Sequence, residues 1–522
     1  MPDSQSLVLF GAFFALIAFI FRYLIIYKSQ NNFDVYGHLY FIKQVKKERK
    51  GPFTSIETNI LKSDKFDNPF LWHWFVGFLP TRFVAKYNKF FNPILDTLYV
   101  ILIYIFTLKL GLPITDVSLI ILLYITSPLF FTKLNIGPRL LFTPRLFSEV
   151  LVNIFFVLTM LPIGLSDELK ITLGSVCVFL VLGSSKFGLQ ALLFLTPLIC
   201  LFDSAYIPLI CFLIGFLAIL ILSNFTFARS VKVQFLHLIW YFKKNLEKKT
   251  PVSKRNDLKR IFYFENNKNL FQNFVRITIR LVQDYTYSSI LIKFPCFLLF
   301  LILFIQCLGA GTYPSLGIYD GPIFSSAIVF TLISLPIFLF LGEAERYISH
   351  VSYFIILGLV IIANSLFLQF ILHILVVYGL VYFLLEIFFL RDPRFLRNSE
   401  DEKFLSFLKK QNSSLNLIIY PFHALSLWRV LLETPVKVLY PFHVKQEVKH
   451  VINDRYCAEY PYTDLNYLDE MVSDLGINML LLDKRQLESK NPGLCIGDNW
   501  NELDFGGEFY SVFSRKGLEV IL

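Results

Sequence analysis

The chain has 522 residues, 55% of them apolar and only 17% charged, with a mean hydropathy of +0.58 and a formal net charge of +10. Soluble chains carry about 25% charge, so the composition excludes an ordinary soluble globule and makes the bilayer the solvent. In that medium the positive balance reports topology and anionic lipid headgroups rather than nucleic acid.

The first apolar run, Leu7 to Tyr27, is long enough to span a membrane. No small-residue cleavage site follows it, so it reads as a retained helix rather than a removed signal peptide. A polar stretch, residues 28–87, comes next and is the best candidate for a functional loop. It carries Asn31-Asn32-Phe33-Asp34-Val35-Tyr36-Gly37-His38, a carboxylate and an imidazole at the mouth of a membrane-embedded protein. Its Lys46–Lys50 run reads as solvated or headgroup-facing. The apolar piece Pro69 to Pro80, bounded by prolines, is too short for a span and reads as an interfacial or re-entrant helix. Further apolar runs follow at about 93–109, 117–132, 146–162, 170–183, 189–202, 207–226, 289–308, 322–341, 351–369 and 371–390. With the first run they predict about 11 spans.

Two polar blocks interrupt the array. Between Arg229 and Arg260, ten Lys or Arg face only Glu247 and Asp257, a bias that the positive-inside rule places in the cytoplasm. Behind it, Leu270, Phe271, Phe274, Ile277, Thr278 and Leu281 recur near helical spacing, as in an amphipathic helix lying on the bilayer with Arg276 and Arg280 at the headgroups. The second block starts at Arg391. There strand-length apolar runs alternate with helical patterns, which predicts a small α/β domain with a partly parallel sheet. Two runs end alike, in Tyr420-Pro421-Phe422-His423 and Tyr440-Pro441-Phe442-His443. They place a histidine at each strand's carboxyl end, or are simply two similar strand exits. His423, His443 and His450 show no catalytic spacing. The expected architecture is therefore a mainly α-helical polytopic membrane core over residues 1–390, with the basic and amphipathic insertion at 228–288, and a soluble α/β domain over residues 391–522. Cys177, Cys200, Cys211, Cys296 and Cys307 lie in apolar runs as packing residues. Cys457 and Cys495 can pair in an oxidising compartment but form no metal or redox motif.

These residues resemble the GT-C superfamily, polytopic glycosyltransferases that use polyprenyl-linked sugar donors, in ordered fashion over roughly the first 230 residues. In that superfamily an essential acid sits in the long extracytoplasmic loop after the first helix, the place of Asp34. In its aminoarabinose and mannose transferases a second acid precedes a Pro-Pro-Leu-x-Tyr-Trp segment, and Asp67-Asn68-Pro69-Phe70-Leu71-Trp72-His73-Trp74 is similar. A Lys-Gly element resembles Ser184-Ser185-Lys186-Phe187-Gly188. The chain departs after the third span, where another acid is usual. It offers Ile136-Gly137-Pro138-Arg139 and Thr143-Pro144-Arg145 instead, which leaves metal use open. The resemblance implies a polyprenyl-phosphate or polyprenyl-diphosphate sugar donor, a glycan, lipid or protein acceptor, and a bacterial inner membrane with the Asp34 loop extracytoplasmic. Any divalent cation, Mg or Mn, would fall to Asp34 and Asp67.

Sugar transfer from a lipid phosphate needs a base for the acceptor hydroxyl and positive charge for the departing phosphate. Asp34 suits the base, or caps a helix. His38, four residues on, can orient Asp34, touch the acceptor or simply pack. Asp67 is a second acid or the N-cap of the short helix. His73 with its flanking tryptophans is a substrate contact or part of an interfacial belt. Lys186 can bind phosphate or snorkel to a headgroup, and Arg139, Arg145 and Arg346 offer bidentate forks for a phosphate or for lipid. Glu343 and Glu345 read as first-turn acids of the next helix. Rival classes are a transporter or flippase, which would carry polar breaks near midmembrane, and an envelope-assembly scaffold. No phosphate-cradling glycine loop, zinc motif or nucleic-acid module is present.

Overall fold

A computed structural model describes residues 4–27, 33–61, 63–67, 69–132, 139–247, 255–267, 269–309, 320–363, 365–388, 399–411, 415–422, 425–439, 456, 462–490, 496–504 and 508–518. Arg391, the three tail histidines His423, His443 and His450, Cys457, Cys495 and Ile136 to Pro138 lie outside the described residues. The chain divides into two compact units. A helical unit comprises Met1–Ser29, Tyr87–Phe225 and Pro251–Asp392, and a sheet unit comprises Gln30–Lys86, Thr226–Thr250 and Pro393–Leu522.

Four helices among the described residues are long and apolar enough to cross a membrane: Gln5–Tyr27, Thr81–Lys109, Lys186–Asp203 and Leu366–Phe388. The number rises to six if each of two bent helix pairs is one span. The protein is thus an integral membrane protein, but the expected count of about 11 is corrected. Several runs that hydropathy counts as spans are helices of 11 to 15 residues, such as Ile114–Thr126, Asp320–Ser334 and Ser352–Ile362. At about 1.5 Å per residue these reach roughly 17–23 Å, short of a hydrocarbon core of about 30 Å. The helix Ser352–Ile362 is buried from Ser352 through Val360. Its apolarity serves the protein interior, and hydropathy cannot tell that interior from lipid. Close approach is built in at Gly379, where any Cβ would strike the carbonyl of Thr126, so the helix Leu366–Phe388 lies directly on Ile114–Thr126.

The sheet unit is built on seven strands. They are β1 (Ile56–Ile60), β2 (Ser63–Phe66), β3 (Asn416–Tyr420), β4 (Lys437–Val438), β5 (Met479–Asp483), β6 (Trp500–Leu503) and β7 (Tyr510–Arg515), in spatial order β2-β1-β4-β3-β5-β7-β6. The centre is parallel (β1/β4, β4/β3 and β3/β5) and both edges are antiparallel, so the sheet is partly parallel. Strands buried on both faces need unbroken apolar runs, which Leu417 to Tyr420 and Met479 to Leu482 supply. Their period of two sorts them cleanly. Leu417, Ile419, Met479 and Leu481 enter one core, with Tyr40, Phe41, Phe404, Leu408, Trp428 and Leu431 from the covering helices. Ile418, Tyr420, Leu480 and Leu482 enter the other, with Leu468, Met471 and Leu475. The tail does not make this sheet by itself. Two strands and the covering helix Phe33–Glu48 come from the stretch that the sequence suggested was a loop. Within it the Pro69–Pro80 piece contains a helix, Leu71–Gly77, with Phe75 and the following Phe78 exposed. Leu71, Trp72, His73 and Val76 are buried, and the preceding Phe70 belongs to the sheet's core.

The amphipathic segment of the helical unit is the helix Leu270–Asp284, opened by a capping box between Asn269 and Gln272, with Leu270, Phe271 and Phe274 exposed.

Candidate functional site

The residues singled out from sequence fall into both units, and in each some of them meet. In the helical unit, Ser185 caps the helix Lys186–Asp203 by accepting from the Gly188 N–H, which sets Lys186 and Phe187 in its first turn. Gly188 is obligatory in that turn, since a Cβ would press on Val181 and on Ser148. The Phe187 ring then carries two cations: the Arg346 guanidinium lies 4.2 Å from its centroid and the Lys186 ammonium 5.1 Å, both within cation–π range. Arg346 Nε also donates to Glu343 Oε2 at 2.8 Å, and Arg145 Nη1 lies 3.5 Å from the same oxygen. Arg145 is placed by the Thr143 cap and Pro144 at the start of the helix Pro144–Met160. Glu343 is delivered by Gly342, whose φ of 110° and ψ of −150° only glycine adopts readily.

Two arginines therefore share one carboxylate, with the Lys186 ammonium on the neighbouring ring, in a largely buried setting. Burial alone would raise the Glu343 carboxyl, but the charges of Arg346, Arg145 and Arg255 overcome it and hold the group well below the usual carboxylate range. Glu343 is not a first-turn acid, because the next helix is Glu345–Ser349. Glu345 does open that helix, yet its Oε1 takes Arg255 Nη2 at 2.7 Å and the Ser289 hydroxyl at 2.8 Å. Arg139 joins a different set. It bonds Asp96 at 2.7 Å and Glu149 at 2.6 Å, while Arg22 bonds Asp96 at 2.6 Å, so two arginines balance two acids in the buried interior. Sequence reasoning passed over Arg22, Asp96, Phe187, Arg255 and His350. For Arg22 and Asp96 the signal was present, since a charge inside an apolar span is costly unless it has work to do.

In the sheet unit, Asp34 is exposed in the first turn of Phe33–Glu48, where the helix dipole favours an acid. His38 follows one turn later, and its Nδ1 lies 2.9 Å from His73 Nε2. One ring must donate and the other accept. His73 is wholly buried; burial first, and then the neighbouring charge of His38, push its imidazole well below the ordinary range. With Trp72 it is a core residue rather than part of an interfacial belt. Asp67 accepts a short hydrogen bond from the Ser55 hydroxyl. It is not the cap of Leu71–Gly77, whose N-cap is Phe70 with no side-chain bond. Among the described residues no three His, Cys, Asp or Glu side chains gather to hold a metal ion.

No protein-family model matches the sequence, and no curated protein matches it. Solved structures do. The chain is similar to the archaeal oligosaccharyltransferase AglB from Archaeoglobus fulgidus, in complex with an inhibitory peptide and a dolichol-phosphate, at 12% identity and a TM-score of 0.52, over 91% of this chain and 69% of that one. It is also similar to ArnT from Cupriavidus metallidurans bound to undecaprenyl phosphate, at 10% identity and a TM-score of 0.44, over 98% of each chain. The likeness to AglB is one of fold. That likeness concerns the path of the chain, and the chemistry has to be argued from the residues.

Proposed function

We propose that the protein is a membrane glycosyltransferase that moves a sugar from a polyprenyl-phosphate or polyprenyl-diphosphate donor to an envelope glycan, lipid or protein. The observation that carries this reading is the meeting of Lys186, Arg145 and Arg346 around Phe187 and Glu343, a cation-rich cluster in the helical unit. AglB's complex with dolichol-phosphate supports the choice of ligand. In the reaction, the acceptor oxygen forms a bond to the anomeric carbon as the bond from that carbon to the phosphate oxygen breaks. The electron pair leaves on phosphate, where guanidinium and ammonium donors stabilise the growing charge. The acceptor proton goes to a carboxylate, and Asp34 is the proposed base, with Asp67 as a second acid and His38 and His73 as a positioning pair. Arg139 is the weakest of the phosphate candidates because its own acids balance it. No step is routed through a metal; chelation in the same assay tests the divalent cation that the resemblance implied.

The test is transfer by the purified full-length protein from a panel of lipid-linked sugars. Loss of turnover in both Arg346→Ala and Asp34→Asn is expected. Unaltered turnover in Asp34→Asn would remove the base assignment, and failure of the whole panel together with solute-coupled or lipid-linked transport would favour the transporter or flippase reading.

A further inference from the structure

The cluster around Phe187 has a neighbour that the sequence did not mark. His350 ends the helix Glu345–Ser349, one turn beyond Arg346, and is 4% exposed. Its Nδ1 lies against the carbonyl oxygen of Arg346. A carbonyl only accepts, so Nδ1 carries the hydrogen and Nε2 presents a bare lone pair. That Nε2 is buried and has no hydrogen-bond partner among the described residues, and the same is true of Arg346 Nη1. One orphan is an acceptor and the other a donor, on residues four apart in the chain. Buried polar groups of this kind ordinarily have partners, so His350 Nε2 calls for an O–H and Arg346 Nη1 for an acceptor oxygen.

We propose that His350 is a specificity-determining residue of the anion site, accepting a hydrogen bond from the P–OH of a phosphate monoester whose remaining oxygens meet Arg346, Arg145 and Lys186. The proposal rests on the glycosyltransferase reading and deepens it. A sugar-loaded lipid phosphate is a diester without a P–OH, whereas the lipid phosphate released by transfer is a monoester with one. His350 therefore marks the product-bound state, and it makes product retention depend on pH. The charged groups acting on the ring are Glu149 and Arg145 from the helix Pro144–Met160 and Arg346 from its own helix. Burial lowers its proton affinity more than Glu149 restores it, which favours the neutral ring.

The experiment measures binding of farnesyl phosphate, a monoester, and of its methyl diester to the purified full-length protein between pH 8 and pH 6. With a second phosphate pKa near 6, the monoprotonated share rises from about 1% to about 50% over that range. Monoester affinity should therefore rise at least about fivefold, with diester affinity unchanged. His350→Phe should abolish the rise, and His350→Gln, which keeps an acceptor but does not titrate, should preserve it. Inorganic phosphate as a competitor separates a free-anion site from a lipid one, since weak competition is expected if the prenyl chain contributes. Equal tightening of monoester and diester would mean that His350 itself protonates, which overturns the proposal. A pH-independent monoester affinity in wild type, or a rise that survives His350→Phe, would show that His350 does not read the P–OH, which overturns the proposal. If wild type binds neither ester, the anion site and the glycosyltransferase reading fail together.

Discussion

Replacing Glu343 with Gln removes the one carboxylate that Arg145 and Arg346 share, and the outcome can be worked from the geometry. At about 4 Å and an effective dielectric near 20, each charge pair is worth roughly 4 kcal/mol before desolvation. Breaking a buried pair by deleting one partner costs about 3–5 kcal/mol net. Glutamine retains an acceptor oxygen for Arg346 Nε, so a loss of about 2–3 kcal/mol is expected, read as a lower midpoint for heat-induced aggregation of the detergent-purified protein. The sign with pH follows from the depressed carboxyl. Its contribution is complete above its unfolded value near 4.5 and fades as pH falls further, so the gap between wild type and Glu343→Gln is constant at neutral pH and narrows only in acid. The variant's cluster carries one more net positive charge, and an added anion takes the place of the lost carboxylate. Farnesyl phosphate at a hundred times its dissociation constant stabilises by about 2.7 kcal/mol, enough to restore the variant. A Glu343→Gln protein as stable as wild type, or one that gains nothing from the lipid phosphate, would refute the argument that these arginines form an anion site.

Lowering the pH from 7 to 5 should destabilise the sheet unit by about 2 kcal/mol, because unfolded histidine binds a proton near pH 6.5 and buried His73 resists it, so the unfolded state takes up more protons. Tryptophan emission during denaturant unfolding checks this selectively, as Trp72, Trp74, Trp240, Trp428 and Trp500 all belong to that unit; a midpoint that does not move with pH would contradict it. Gly188→Ala should cost about 1–3 kcal/mol by overpacking against Val181 and Ser148, and should weaken lipid-phosphate binding by shifting Lys186 and Phe187. An unchanged melting temperature would show that the turn has slack. Single cysteines at Lys65, Lys243 and Lys516, in a background without the native cysteines, should all label from one side of the membrane. Strands that share hydrogen bonds cannot straddle a bilayer, and all three positions lie in the sheet unit. Labelling from opposite sides would break the unit apart.

What the sequence revealed depended on how local the signal was. Met479 to Leu482 is an uninterrupted apolar run, and it is a central strand; Leu270, Phe271, Phe274 and Ile277 recur at helical spacing, and they lie on the amphipathic helix. The Ile56–Ile60 strand carries Glu57, Thr58 and Asn59 in its middle and shows no alternation, while β4 is only two residues long. Both become strands because neighbours distant in sequence complete them. The span count failed for a related reason, since Ser352–Ile362 is as apolar as a span but is wrapped in protein. At the anion site, Lys186 and Arg145 each suggested phosphate by type and place. Their meeting with Arg346 at a phenylalanine ring is a tertiary fact, and His350 became visible only through the atom it leaves without a partner.

The hydrogen-bonded neighbours Ile60 and Val438 are made far apart in time. At roughly 5–20 residues per second, β1 leaves the ribosome some 20–75 s before β4. During that interval the β1–β2 hairpin has only the helix Phe33–Glu48 to cover it and keeps an open edge, the condition in which strands recruit the wrong partners. A nascent chain halted before β4 lacks the strand that Ile60 pairs with, so completion of synthesis and completion of this unit are nearly the same event.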